Sequence, residues 1–133
     1  MSKENVEIVR SVWEAAKRRD TGALFALYHP AIVWQVHYGP IELRGVYHGH
    51  EGVRQLFQQW REPFETYEEQ PGEFFDAGDN VVVDFRLSGR GKVSGVEVEM
   101  PRWMVYAIRD GLVVRVDIFE TKSEAFEAAG LLL

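Results

Sequence analysis

The chain contains no cysteine, which excludes disulfides, a thiol nucleophile and thiolate metal ligation. Its uninterrupted apolar runs are only a few residues long, far short of the ~20 needed for a membrane helix. The first ten residues, "MSKENVEIVR", are charged where a secretion signal would be apolar. A cytoplasmic protein is expected. There is also no basic run: 15 Lys and Arg stand against 21 Asp and Glu, a net charge of −6. The electrostatic footprint of a nucleic-acid binder is therefore missing, and small molecules or other proteins are the expected partners, with neither nucleic acid nor membrane among them. What is present is 133 residues with 46% hydrophobic and 13% aromatic content. That suffices for one compact domain with a full core and is too little for two.

From about residue 4 to 19, Val6, Val9, Trp13 and Ala16 fall at helical spacing. Lys17, Arg18 and Arg19 crowd the end, where cations complement the helix dipole. Asp20 or Thr21 can cap a second, short helix carrying Leu24, Phe25, Leu27 and Tyr28. The His29-Pro30 step ends it, because the residue before proline resists helical angles. His29 then reads as a loop residue, and "AIVWQVHY" reads as a strand.

The stretch "GVYHGHEGVRQLF" sets His48 and His50 one residue apart beside Glu51. A metal site would need a third and a fourth ligand, and the chain instead turns helical: Val53, Leu56, Phe57 and Trp60 sit at i, i+3, i+4 and i+7. The stretch reads as a polar turn opening a helix over Glu51 to Arg61 that stops before Pro63. No metal site is expected.

Beyond residue 64 the period changes to alternation. Strands are predicted over 64–76, interrupted at Pro71-Gly72, and over 80–90, 96–109 and 112–120, with turns at "AGDN", "SGRGKVSG" and "RDG". A last short helix runs from Ser123 to Gly130. This order predicts an α+β domain with helices packed on one face of a curved, mainly antiparallel sheet.

The blocks "RRDTGALFALYHPAIVW", "GVYHGHEGVRQLFQQW", "FFDAGDNVVVDFRLSGRGKVSGVEV", "IRDGLVVRV" and "EAFEAAGL", in this order across nearly the whole chain, resemble SnoaL-like domains of the ketosteroid isomerase and nuclear transport factor two superfamily. The resemblance implies a cone, a cystatin-like α+β barrel whose helices and bent sheet enclose a deep apolar pocket, often in a homodimer. It selects no reaction, since the superfamily holds isomerases, cyclases, dehydratases, epoxide hydrolases and non-enzymes. The ketosteroid isomerases use a carboxylate base near the end of the first strand, a tyrosine in the first helix and a protonated aspartate on the next-to-last strand. The matching places here hold Val36, Val12 beside Trp13, and Met104. None can perform its role.

Alternation on the last two strands shows where chemistry could have moved. Met100, Arg102, Met104, Tyr106 and Ile108 share one face, and Val114, Val116, Ile118 and Glu120 share another. If "RDG" is a type I turn with a glycine bulge, both faces point inward and Arg102 and Glu120 become diagonal neighbours. Glu120 is then a general acid or base with Arg102 beside it, or the two are an ion pair at the rim. His37, one residue out of the inward phase, is a weaker proton-transfer candidate. Trp13, Trp34, Val36, Tyr38, Trp60, Met104, Tyr106 and Ile118 would line a site for a small hydrophobic molecule. Arg115, Asp117, Asp84 and Arg86 read as outer-surface charges. Three functions follow: an enzyme needing no metal or organic cofactor, a ligand-binding domain, or a dimeric interaction module.

Overall fold

A computed structural model describes residues 2–38 and 44–131. Helix α1 (Ser2–Lys17) stops where Arg19 takes a left-handed φ of 58°. The Asp20 N–H reaches Ala15 O at 3.0 Å and the Arg19 N–H reaches Ala16 O at 3.1 Å, closing the helix end as a Schellman motif. Arg18 and Arg19 therefore lie past the last turn. Asp20 caps α2 (Thr21–Ala26) by accepting from the Ala23 N–H at 3.1 Å.

The helix ends before the His29-Pro30 step rather than at it: β1 (Tyr28–Val36) already contains both residues. Residues 45–48 are not a turn but strand β2 (Gly45–His48), which pairs antiparallel with β1. Helix α3 (Gly49–Arg61) follows without a break. The His50 Nε2 lies 2.9 Å from Tyr28 O. Among the described residues, no three His, Asp or Glu side chains gather as metal ligands.

Strands β3 (Phe64–Ala77), β4 (Asn80–Gly91), β5 (Glu97–Arg109) and β6 (Leu112–Phe119) complete the sheet, and α4 (Lys122–Ala129) follows them. The strand order is β2-β1-β6-β5-β4-β3, with only the β1–β6 pair parallel. The sheet has two edges, β2 and β3, and does not close into a barrel.

Two irregularities decide which side chains face inward. The β5–β6 connection is a two-residue loop with positive φ at Asp110 (52°) and Gly111 (80°), as a type I′ turn requires, and not the expected type I turn with a bulge. The bulge lies further on: Ile108 pairs with Val113 while Ala107 pairs with Arg115, so Val113 and not Val114 is buried. In β3, Pro71 pairs with Phe85 and Phe74 with Val83, one extra residue on the β3 side. Asp84, expected as a plain surface charge, secures this bulge by accepting from the Glu73 N–H.

Helices α1, α2 and α3 cover one face of the sheet, called inner here, around a core that includes Val9, Ile32, Val53, Val83, Tyr106, Val113 and Val116. The outer face is not left to solvent. Helix α4 packs against β4, β5 and β6, and a second, smaller core forms from Val82, Val105, Ala125, Phe126 and Ala129. Helices thus lie on both faces of the sheet.

Candidate functional site

Rows of paired residues run across the inner face. Met104 pairs with both Val83 and Ile118, and Ile118 with Val36. Tyr106 pairs with Val81 and Val116, and Val116 with Trp34. These rows are packed solid. Trp34, Val36, Met104, Tyr106 and Ile118 are buried, as is Trp13, whose ring lies 5.5 Å from that of Phe85. They form a floor, where a deep pocket lined by them was expected. An apolar groove of ≈ 450 Å³, lined by Phe64, Val93, Val96 and Val98 among others, lies instead at the far end of the β3–β5 strands.

Above the floor the side chains become half-buried: Trp60, Tyr67, Glu69, Val98, Met100 and Arg102. This is the accessible layer of the inner wall, and buried Tyr38 borders it through T-shaped contact with Trp60 at 5.9 Å. Phe64, in the groove, stands 5.2 Å from Tyr67.

Arg102 and Glu120 do come together, Nη2 to Oε2 at 3.7 Å, with unequal surroundings: the Arg102 side chain is 13% exposed and that of Glu120 60%. Glu120 stands in solvent at the rim and not on the apolar wall, because β6 ends at Phe119. Arg102 lies over the Tyr38 ring at 4.5 Å and donates to Pro101 O and Met100 Sδ. His37 is on the other side of the sheet. Its ring stacks on Phe119 at 4.4 Å, and its Nε2 is 2.9 Å from Asp117 Oδ1. Asp117 also binds Arg115, which donates to Gln35.

Sequence reasoning missed Glu69. It pairs with Leu87, a core residue 2% exposed, so its side chain points inward. The Tyr67 hydroxyl donates to Oε2 at 2.5 Å. Burial pushes the carboxyl above the ordinary carboxylate range, opposed by the Tyr67 hydrogen bond and then by Arg61. Its charge also reaches the hydroxyls of Tyr28, Tyr38 and Tyr106, whose pKa values are raised first of all by burial; that of Tyr38 is pushed up to about 12. The bulge hid this residue. Counting back in twos from inward Phe74 places Glu68 and Gln70 inside, and the extra residue reverses that parity.

Four buried donor atoms of the inner region lack a hydrogen bond of full geometry within the protein, Trp13 Nε1, Trp34 Nε1, the Tyr38 hydroxyl and Arg102 Nε, although Arg102 interacts with the Tyr38 hydroxyl and Trp13 with that of Tyr106. Buried polar groups are satisfied in the great majority of cases, so these four atoms are exceptions.

Solved structures with this architecture include the NTF2-like protein of Burkholderia thailandensis, 28% identical, with a TM-score of 0.78 over 96% of this chain and 97% of that one. The NTF2-like protein of Burkholderia xenovorans is also 28% identical, with a TM-score of 0.76 over 97% of each chain. A Xanthomonas campestris protein of unknown function with a cystatin-like fold is 21% identical, with a TM-score of 0.76 over 96% of this chain and 98% of that one. No curated protein matches the sequence. The sequence pattern of the SnoaL-like domain spans residues 9–116, and with strand order, helix placement and neighbours in agreement, the chain belongs to the family of SnoaL-like domains.

Proposed function

We propose that the protein binds a small, flat, mainly apolar molecule bearing at least one hydrogen-bond-accepting oxygen, seated on the half-buried layer of Trp60, Tyr67, Met100 and Arg102 above the aromatic floor. The observation carrying this reading is the pair of incompletely bonded donors at the edge of that layer, the Tyr38 hydroxyl and Arg102 Nε. Each such group costs about 1–3 kcal/mol if it stays unpaired, which an oxygen-bearing ligand would recover. Aromatic rings supply the apolar contact area, and a few placed polar groups fix orientation. The outer-face ion network gives no comparable reason for a ligand, since its partners are already paired.

The test is titration of the protein with the bicyclic ketone 2-tetralone, followed by NMR of the four tryptophan indole N–H groups. Saturable shifts are expected at Trp60, Trp34 and Trp13, while Trp103, packed on Phe126 across the sheet, stays unmoved. Arg102→Leu should weaken binding by about tenfold, the worth of a charge-assisted hydrogen bond. Indole signals that do not move, or that move equally at Trp103, would refute a site on the inner wall.

A further inference from the structure

The apolar groove at the end of the β3–β5 strands lies beyond the layer assigned a ligand, yet it continues the same wall. Val98, Met100 and Arg102 alternate along the inner face of β5 and are all half-buried. Val96, in the same phase just before the strand, lines the groove together with Val98. From Arg102 to Val96 this track is about 20 Å long at the usual rise per strand residue. Backbone bonds fix its far end: the Lys92 N–H donates to Pro63 O at 2.9 Å, and the Gly91 N–H to Val96 O at 3.0 Å. Tyr67, Gly89 and Val98 form one row across the sheet. Because Gly89 has no side chain, the Phe64 ring settles over it, where a Cβ would stand 3.0 Å from Phe64 Cδ1. Phe64 so placed walls the groove and meets Tyr67 of the ligand layer.

Exposed apolar side chains scattered singly need no explanation. Here Val93 and Val96, two of the three large exposed hydrophobics among the described residues, line one groove. Its volume of ≈ 450 Å³ falls within the range of small-molecule sites, about 300–1,000 Å³. The few residues around it fall well short of the roughly 20–30 a side that a stable protein partner occupies. Its one polar side chain, Ser94, already accepts from the Val96 N–H at 3.1 Å. A polar occupant would lose its water there with little to bond in return, whereas a hydrocarbon gains by leaving water. We propose that the groove takes the unbranched aliphatic tail of the inner-wall ligand, which makes that ligand a flat, oxygen-bearing ring with an alkyl chain attached. This rests on the ligand site proposed above. The ring sits by Trp60 and Arg102, the chain runs over Met100 and Val98, and its end lies between Phe64 and Val96.

The experiment is titration with the phenyl ketones acetophenone, butyrophenone, hexanophenone and octanophenone, which keep one flat head and lengthen the tail. Binding is followed by NMR of the indole N–H and valine methyl groups, alongside the 2-tetralone titration. The dissociation constant should fall by about fourfold per added methylene. Trp60 should shift with every member, and Val98 and Val96 only with the longer ones. Val96 is 58% exposed, so Val96→Asp leaves the core intact. It should weaken octanophenone by about tenfold or more while leaving acetophenone unchanged. Affinity that is flat along the series, or a gain that survives Val96→Asp, overturns the tail subsite and leaves the 2-tetralone site standing. Long ketones that shift the valines but not Trp60 overturn the continuity of groove and layer. A dimer in sedimentation that Val96→Asp dissociates gives the groove to a second copy of the chain and also overturns the proposal. Binding of neither 2-tetralone nor any phenyl ketone overturns both the ligand site and its tail.

Discussion

An ionised carboxyl at position 69 costs folding free energy, because burial disfavours its charge more than Tyr67 and Arg61 favour it. The folded protein therefore binds the Glu69 proton more tightly than the unfolded chain does. Below the unfolded value, about 4.3 for glutamate, both states are protonated and the cost is absent. As pH rises through the raised folded value the unfolded state gains the advantage, and this residue's contribution to stability falls. Glu69→Gln should thus be more stable than wild type at pH 8, and the difference should vanish below about pH 4, as read by urea denaturation at each pH. At the residue scale much of the inner wall was legible: the alternation of Arg102, Met104 and Tyr106 is kept by a bulge-free stretch of β5. Glu120 was in phase but beyond the last paired residue, so its side chain leaves the wall. Glu69 was illegible because its face depends on an extra residue in β3, not on its own neighbours.

Elements carried clear local signals wherever caps and turns fix them. Thr121 caps α4 by accepting from the Glu124 N–H at 3.2 Å, and Gly130 ends it at φ 76°. The "RDG" turn was placed correctly and assigned the wrong type. A two-residue loop and a three-residue loop differ by one bulge, and that bulge lies at Val114, where nothing in the sequence marks it. Strand β2 went unread because four residues beside a helix start carry too little alternation, and its pairing with β1 is set by contacts outside the segment. The turn itself offers a direct check. Gly111 holds φ 80° with open space around its Cα, so Gly111→Ala meets no clash and is opposed only by backbone strain. A loss of about 1 kcal/mol is expected, seen as a lower denaturation midpoint with unchanged slope.

For the whole molecule, the division of the sheet into two faces separates stability from binding. The inner face holds the aromatic floor and the proposed ligand layer. The outer face holds the α4 core, where the Phe126 ring meets Phe75 at 5.0 Å and Trp103 at 6.2 Å. The same β3 bulge serves both, since it turns Phe74 inward and its sequence neighbour Phe75 outward. This arrangement was not legible from α4 alone, because Ala125, Phe126 and Ala129 form too small an apolar stripe to announce which surface they cover. Phe126→Ala removes the largest side chain of the outer core and should cost about 3–5 kcal/mol. Valines 82 and 105 would lose their cover, while among the described residues none of the inner wall belongs to that core. The expected result is a large drop in denaturation midpoint together with an unchanged dissociation constant for 2-tetralone measured well below that midpoint. If affinity falls in step with stability, the two faces are coupled through the sheet and the ligand layer depends on the packing of α4.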